Sequence, residues 1–144
     1  MNEVWQDKIP PQDIEAEQAV LGAIFLDSDT LIDAMEIVTP RSFYRRSHQI
    51  IFQSMIQLSN RGEAIDLVTL KAEIEKSNAL EDIGGISYLS ELSQSTPSSA
   101  SVSYYAKIVD DKSLLRQLIQ TANQIVVKSF EQGEEVQAIV DEAE

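Results

Sequence analysis

The sequence predicts an all-α protein, a compact helical globule followed by a long αα-hairpin. Three observations carry that reading. Apolar residues recur at helical spacing along most of the chain, no run of strict alternation is long enough for a strand, and residues 101–131 contain neither Pro nor Gly. The 144 residues suit one domain with an appendage, divided as an N-terminal extension (1–12), a globular helical subdomain (13–97) and a hinge with helical hairpin (98–144).

The first helix opens after Pro10-Pro11, with Asp13 as its N-cap and Glu15 and Glu17 near the positive end of its dipole. Ala16, Ala19, Val20, Ala23 and Ile24 form one face, which Leu21, Phe25 and Leu26 widen. Gly22 in the middle costs about 1 kcal/mol against Ala, so close packing is the expected reason for it. Ser28-Asp29 cap a shorter helix with Leu31, Ile32, Met35 and Val38 inward, and Pro40 ends it. A third helix runs from about Arg45 to Asn60 with Ile51, Phe52, Met55, Ile56 and Leu58 inward. Asp66 starts a fourth, carrying Leu67, Leu70 and Ile74. Gly84-Gly85 precedes a fifth with Ile86, Leu89 and Leu92, and the low-complexity stretch 95–103 reads as a hinge.

The stretch 101–131 would reach about 46 Å as one helix. Its residues Tyr104, Ile108, Leu114, Leu115, Leu118, Ile119, Ala122, Ile125, Val126 and Phe130 fill a sector about 160° wide. Gly133 turns the chain into a short returning arm marked by Val136, Ile139, Val140 and Ala143. One returning arm covers one edge of so wide a stripe. Leu114, Leu115, Leu118, Ala122, Val126 and Phe130 are therefore candidates for self-association.

Charge is segregated along the chain. The net charge is −13, yet residues 41–62 carry Arg41, Arg45, Arg46 and Arg61 and no acid. An acidic chain repels phosphate backbones, so little direct DNA binding is expected and protein is the expected partner. The Arg belt is expected to pair with carboxylates of the same fold.

Catalytic signatures are missing. There is no cysteine, so no thiolate nucleophile or disulfide. There is no P-loop; Gly84-Gly85 lacks a dinucleotide spacing; His48 stands alone and reads as a half-exposed helix residue; and the acids suggest no dyad. No catalytic site, metal site or cofactor site is expected in this segment. The N-terminus lacks a signal peptide pattern and no apolar run approaches the ~20 residues of a bilayer span, which suggests a cytoplasmic protein with no membrane partner.

The run PPQDIEAEQAVLGAIFLD (residues 10–27) closely resembles the opening of the N-terminal domain of bacterial DnaB-type replicative DNA helicases. Further landmarks follow in order: Phe43-Tyr44 before His48 and Ile51-Phe52, Asp66 with Thr69, Gly84-Gly85 with Tyr88-Leu89, then Tyr105, Ile108-Val109 and Arg116. The resemblance covers about residues 9–118, and departs in the loops at 39–42 and 98–106. It implies a non-catalytic collar whose hairpins pair between subunits of a hexamer. It also implies a surface for the helicase-binding domain of primase, with Glu15, Tyr88, Ile119 and Ile125 as candidates, and a possible site for a helicase loader. ATP and Mg would belong to the RecA-like motor of the longer parent enzyme, before which this segment would end. The alternatives are a free-standing helical adaptor without a motor, a small acidic hydrolase, and, more remotely, a helix-turn-helix DNA binder.

Overall fold

The computed structural model describes residues 8–96, 98–133 and 135–144. Among them are seven α-helices, one 3-10 turn and no strand: α1 (Ile14–Leu26), α2 (Thr30–Met35), the 3-10 turn Pro40–Ser42, α3 (Arg46–Asn60), α4 (Leu67–Glu75), α5 (Gly85–Ser93), α6 (Val102–Glu131) and α7 (Val136–Ala143). The chain divides into two compact units. One is residues 12–112, and the other takes residues 113–144 with the segment up to residue 11. Residues 1–7 of the expected N-terminal extension and Pro97 of the expected hinge lie outside the described residues.

The 12–112 unit owns the core. Val20, Leu21 and Ile24 of α1, Ile51, Phe52, Met55 and Leu58 of α3, Leu70 and Ile74 of α4, and Leu89 and Leu92 of α5 are all fully shielded from water. Phe43 meets Phe52 with ring centroids 5.0 Å apart. The caps follow from local chemistry. Asp13 accepts from the Ala16 N–H at 2.9 Å, and Asp66 and Thr69 exchange bonds as a capping box. Gly84 and Gly85 both take positive φ, 104° and 73°, a conformation a Cβ would strain. Gly22 packs against the end of α5: a Cβ there would sit 2.9 Å from the Leu92 carbonyl oxygen and 2.8 Å from Thr96 Oγ1.

Several faces differ from the periodic reading. In α2 only Thr30, Leu31 and Ala34 are buried, leaving Ile32 65% exposed and Met35 exposed as well. Leu26 and Ile86 are exposed, and so is Tyr104. Within 102–112 the buried face of α6 is Val102, Ala106 and Val109, spaced i, i+4, i+7. The expected hinge begins tied down: Ser95 Oγ donates to the Gln18 carbonyl and Thr96 Oγ1 to the Ala19 carbonyl, each at 3.1 Å.

The largest correction is His48. It is 0% exposed, because three elements converge on it. Its Nδ1 lies 2.7 Å from Glu17 Oε1, and its Nε2 lies 2.5 Å from the Tyr88 hydroxyl. A carboxylate only accepts, so Nδ1 carries the proton; in the neutral ring Nε2 accepts the Tyr88 proton. The Tyr88 oxygen in turn accepts from Gln18 Nε2 at 3.2 Å, and the Tyr88 and His48 rings stack at 5.8 Å. Glu17 therefore does little for its own helix. Its carboxylate accepts from the Tyr44 N–H at 2.6 Å and the Arg45 N–H at 3.4 Å, where α3 begins without a side-chain cap of its own. Glu17 of α1 thus anchors the backbone that enters α3.

The belt residue Arg61 behaves as expected. It forks onto Glu73 at 2.5 and 3.3 Å and reaches Glu63 at 3.0 Å, while Lys76 also meets Glu73 at 3.2 Å. The Arg61 hydrogen bond holds both carboxyls below the ordinary range, and Glu73 and Glu63 raise the guanidinium in return. No ion pair among the described residues includes Arg41, Arg45 or Arg46, so the expected pairing fails for those three.

Three outcomes follow from these contacts. Glu17→Ala strands a buried imidazole and frees the Tyr44 and Arg45 N–H groups, and should cost about 3–5 kcal/mol in urea unfolding. Tyr88→Phe, which removes the hydroxyl that bonds both His48 and Gln18, should cost about 1–3 kcal/mol. A carboxyl held low stabilises the fold above its unfolded range and loses that contribution as pH falls. The gap in melting temperature between the parent chain and Glu73→Gln should therefore narrow as pH drops below the ordinary value of 4.5.

Candidate protein interaction surfaces

The second unit is built around an apolar stripe with little to cover it. The first arm of its hairpin is the 113–131 portion of α6, and α7 is the returning arm. The arms are tied by Lys128 Nζ to Glu142 Oε1 at 2.7 Å. The turn uses Gln132 at φ 56° as its left-handed residue, where the sequence pointed to Gly133. Glu134 of this turn lies outside the described residues. Glu135 then caps α7 by accepting from the Gln137 and Ala138 N–H groups. At the other end of the unit, Arg116 Nη1 donates to the Pro11 carbonyl at 2.8 Å.

No residue of α7 is buried. Leu114 and Leu115 are about half exposed, Leu118 is 65% and Phe130 75% exposed, and Ala122 is exposed too. Val126, Ile119, Ile125 and Ile139 are half-buried. Val127, which the stripe omitted, is also exposed. Exposed large apolar residues repeated along one helical arm make it a candidate interaction surface.

The other candidates lie on the 12–112 unit. Glu15 is exposed beside an open groove of about 390 Å³, lined also by Asp13, Gln18, Ser95, Tyr105 and Ile108. Tyr88 is half-buried, with its hydroxyl engaged by His48 and Gln18. The structure thus links Tyr88 to α1 one turn beyond Glu15, while Ile119 and Ile125 belong to the other unit. Lys107 pairs with Asp111 at 2.9 Å, and that hydrogen bond raises the ammonium above its usual value.

Arg41, Arg45 and Arg46 are exposed. No group of three or more His, Cys, Asp or Glu residues that could hold a metal occurs among the described residues, and no described helix is long and apolar enough to cross a membrane. Sequence reasoning missed Glu17 and Gln18 as structural anchors. The signal for Glu17 was present, since it shares a face with Leu21 and Ile24 at i, i+4, i+7.

Comparison with known proteins agrees with this architecture. The model of the DnaB-like helicase N terminal domain matches residues 9–111. The replicative DNA helicase DnaB of Geobacillus stearothermophilus is 51% identical over all 144 residues of this chain, which correspond to 32% of that protein. This chain thus spans about one third of that relative's length. The crystal structure of the N-terminal domain of DnaB helicase from Mycobacterium tuberculosis superposes with a TM-score of 0.89 at 39% identity, covering 94% of this chain and 95% of that one. A DnaB-like replicative helicase, described together with its interactions with primase, superposes at 0.75 with 28% identity over 90% of this chain and 30% of that one. A family match over residues 9–111 and a TM-score of 0.89 together show that this chain belongs to the family of DnaB-like helicase N-terminal domains.

Proposed function

We propose that this chain is the non-catalytic collar of a replicative DNA helicase, pairing subunits within a hexamer and docking primase so that unwinding is coupled to primer synthesis. The observation that carries the reading is the exposed stripe Leu114, Leu115, Leu118, Ala122 and Phe130 on the first arm of the hairpin, whose returning arm α7 buries no residue. A second copy of the same stripe is its simplest cover, because a two-fold contact lets one patch complement itself. Val126 completes the self-association face. ATP and Mg enter through the motor of the whole protein, and the collar contributes shape and contacts.

Primase docking rests on the solved relative described with its primase interactions. Here the docking elements are Glu15 and Tyr88 on the globular unit and Ile119 and Ile125 on the hairpin, with a helicase loader as a further partner. Glu15 offers an exposed charge at a groove edge, and Tyr88 holds Gln18 in place beside it. The protein acts in the cytoplasm at the replication fork.

Two measurements test this reading. Leu118→Asp with Phe130→Asp should weaken self-association at least about tenfold in sedimentation equilibrium, roughly 1.4 kcal/mol, with the helical circular dichroism retained. An unchanged association constant would remove the hairpin from the pairing surface. Glu15→Arg and Ile119→Asp should each reduce capture of the primase helicase-binding domain, and wild-type capture by both would sink the assignment of those positions.

A further inference from the structure

Two guanidinium groups sit where local electrostatics opposes them: Arg45 is the N-cap of α3 and Arg46 is its first residue. Arg41 joins them from the 3-10 turn just before α3. Cations at a helix N-terminus are unfavourable because the helix dipole is positive there. The nearby Glu17 carboxylate is already occupied by the Tyr44 and Arg45 N–H groups and by His48. Arg61, further along the belt, has Glu73 and Glu63; Arg41, Arg45 and Arg46 make no ion pair among the described residues. A local rule broken without internal compensation points to an external partner. An open groove of about 860 Å³ runs from Arg46 along Gln49, Ile50 and Gln53, giving room for side chains beside these charges.

A complementary surface lies in the same unit. Residues 9–40 hold seven acids and no base. Asp13 is used as a cap and Glu17 is buried, but Asp27, Asp29, Asp33 and Glu36 are exposed around the α1–α2 corner. The same corner exposes Leu26, Ile32 and Met35. No ion pair among the described residues joins this corner to the Arg surface.

We infer that the two surfaces meet between copies, the Arg41–Arg45–Arg46 surface of one chain taking the acidic, apolar α1–α2 corner of the next. Carboxylates face guanidiniums, while Ile32 and Met35 enter the groove beside Arg46. Arg and Met are favoured at such interfaces, and the charges set orientation and encounter rate. The contact is heterologous, with different patches on the two partners. It therefore propagates into a ring or filament, whereas the hairpin contact is self-complementary and stops at two. This inference deepens the self-association reading of the collar and is testable apart from it.

The test is sedimentation velocity of the full chain at about 0.05 and 0.5 M salt, which screen charge differently. In a Leu118→Asp background the chain should still associate past the dimer at low salt and dissociate at high salt. Arg45→Gln with Arg46→Gln should abolish that association, as should Asp33→Asn with Glu36→Gln. An equal mixture of the two doubly neutralised chains retains one intact contact and should give dimers and nothing larger. Ile32→Ala, which leaves every charge in place, should weaken the association. Monomers at every salt in the Leu118→Asp background overturn the inference while leaving the hairpin reading intact. Salt-sensitive assembly unaffected by Leu118→Asp supports it and removes the hairpin contact. Retardation of single-stranded DNA that Arg45→Gln with Arg46→Gln abolishes would overturn it in favour of nucleic acid.

Discussion

The 12–112 unit depends on one buried carboxylate. Glu17 is almost wholly removed from water, and such a group is tolerable only when its oxygens are filled. His48 and the Tyr44 and Arg45 N–H groups fill them, so α1, the start of α3 and, through Tyr88, α5 are located by a single set of hydrogen bonds. Directionality gives the set its specificity. With His48 neutral, Gln18 donates to Tyr88, Tyr88 to His48 and His48 to Glu17. A shift of α3 by one residue would turn His48 by about 100° and break the chain of bonds at its centre. The apolar core supplies most of the driving force, while this network selects the register.

The network also explains what the sequence could and could not disclose. The helices announced by strong local chemistry were legible: Asp13 and Asp66 as caps, Gly22 as a close approach, and residues 101–131 as one uninterrupted element, observed as Val102–Glu131. The family was legible too, since PPQDIEAEQAVLGAIFLD and the ordered landmarks after it constrain many positions jointly. His48 was misread as half-exposed because its partners lie 31 and 40 residues away in the chain, beyond the reach of local pattern. The apolar residues of α2 were misassigned for a different reason. A helix of six residues has too few turns to define a face, and Ile32 and Met35 fit a periodic stripe while standing in water. The exposed apolar and basic faces were half legible. A stripe wider than a single returning arm can cover was evident, whereas the separation of Arg61 from the other three arginines appears only with Glu73 in place.

The two units satisfy their chemistry in opposite ways. Among the described residues no buried side-chain nitrogen or oxygen lacks a hydrogen bond, and the apolar core cluster lies wholly within residues 16–109. The 12–112 unit therefore needs nothing from a partner to be stable. The 113–144 unit has no buried residue in α7, and among the described residues the Lys128–Glu142 ion pair that links its arms is of a kind worth about 0–1 kcal/mol. Isolated helices this short are marginal in water. Whatever binds the stripe thus contributes directly to the order of the arm, since a ligand that prefers the folded state stabilises it by mass action.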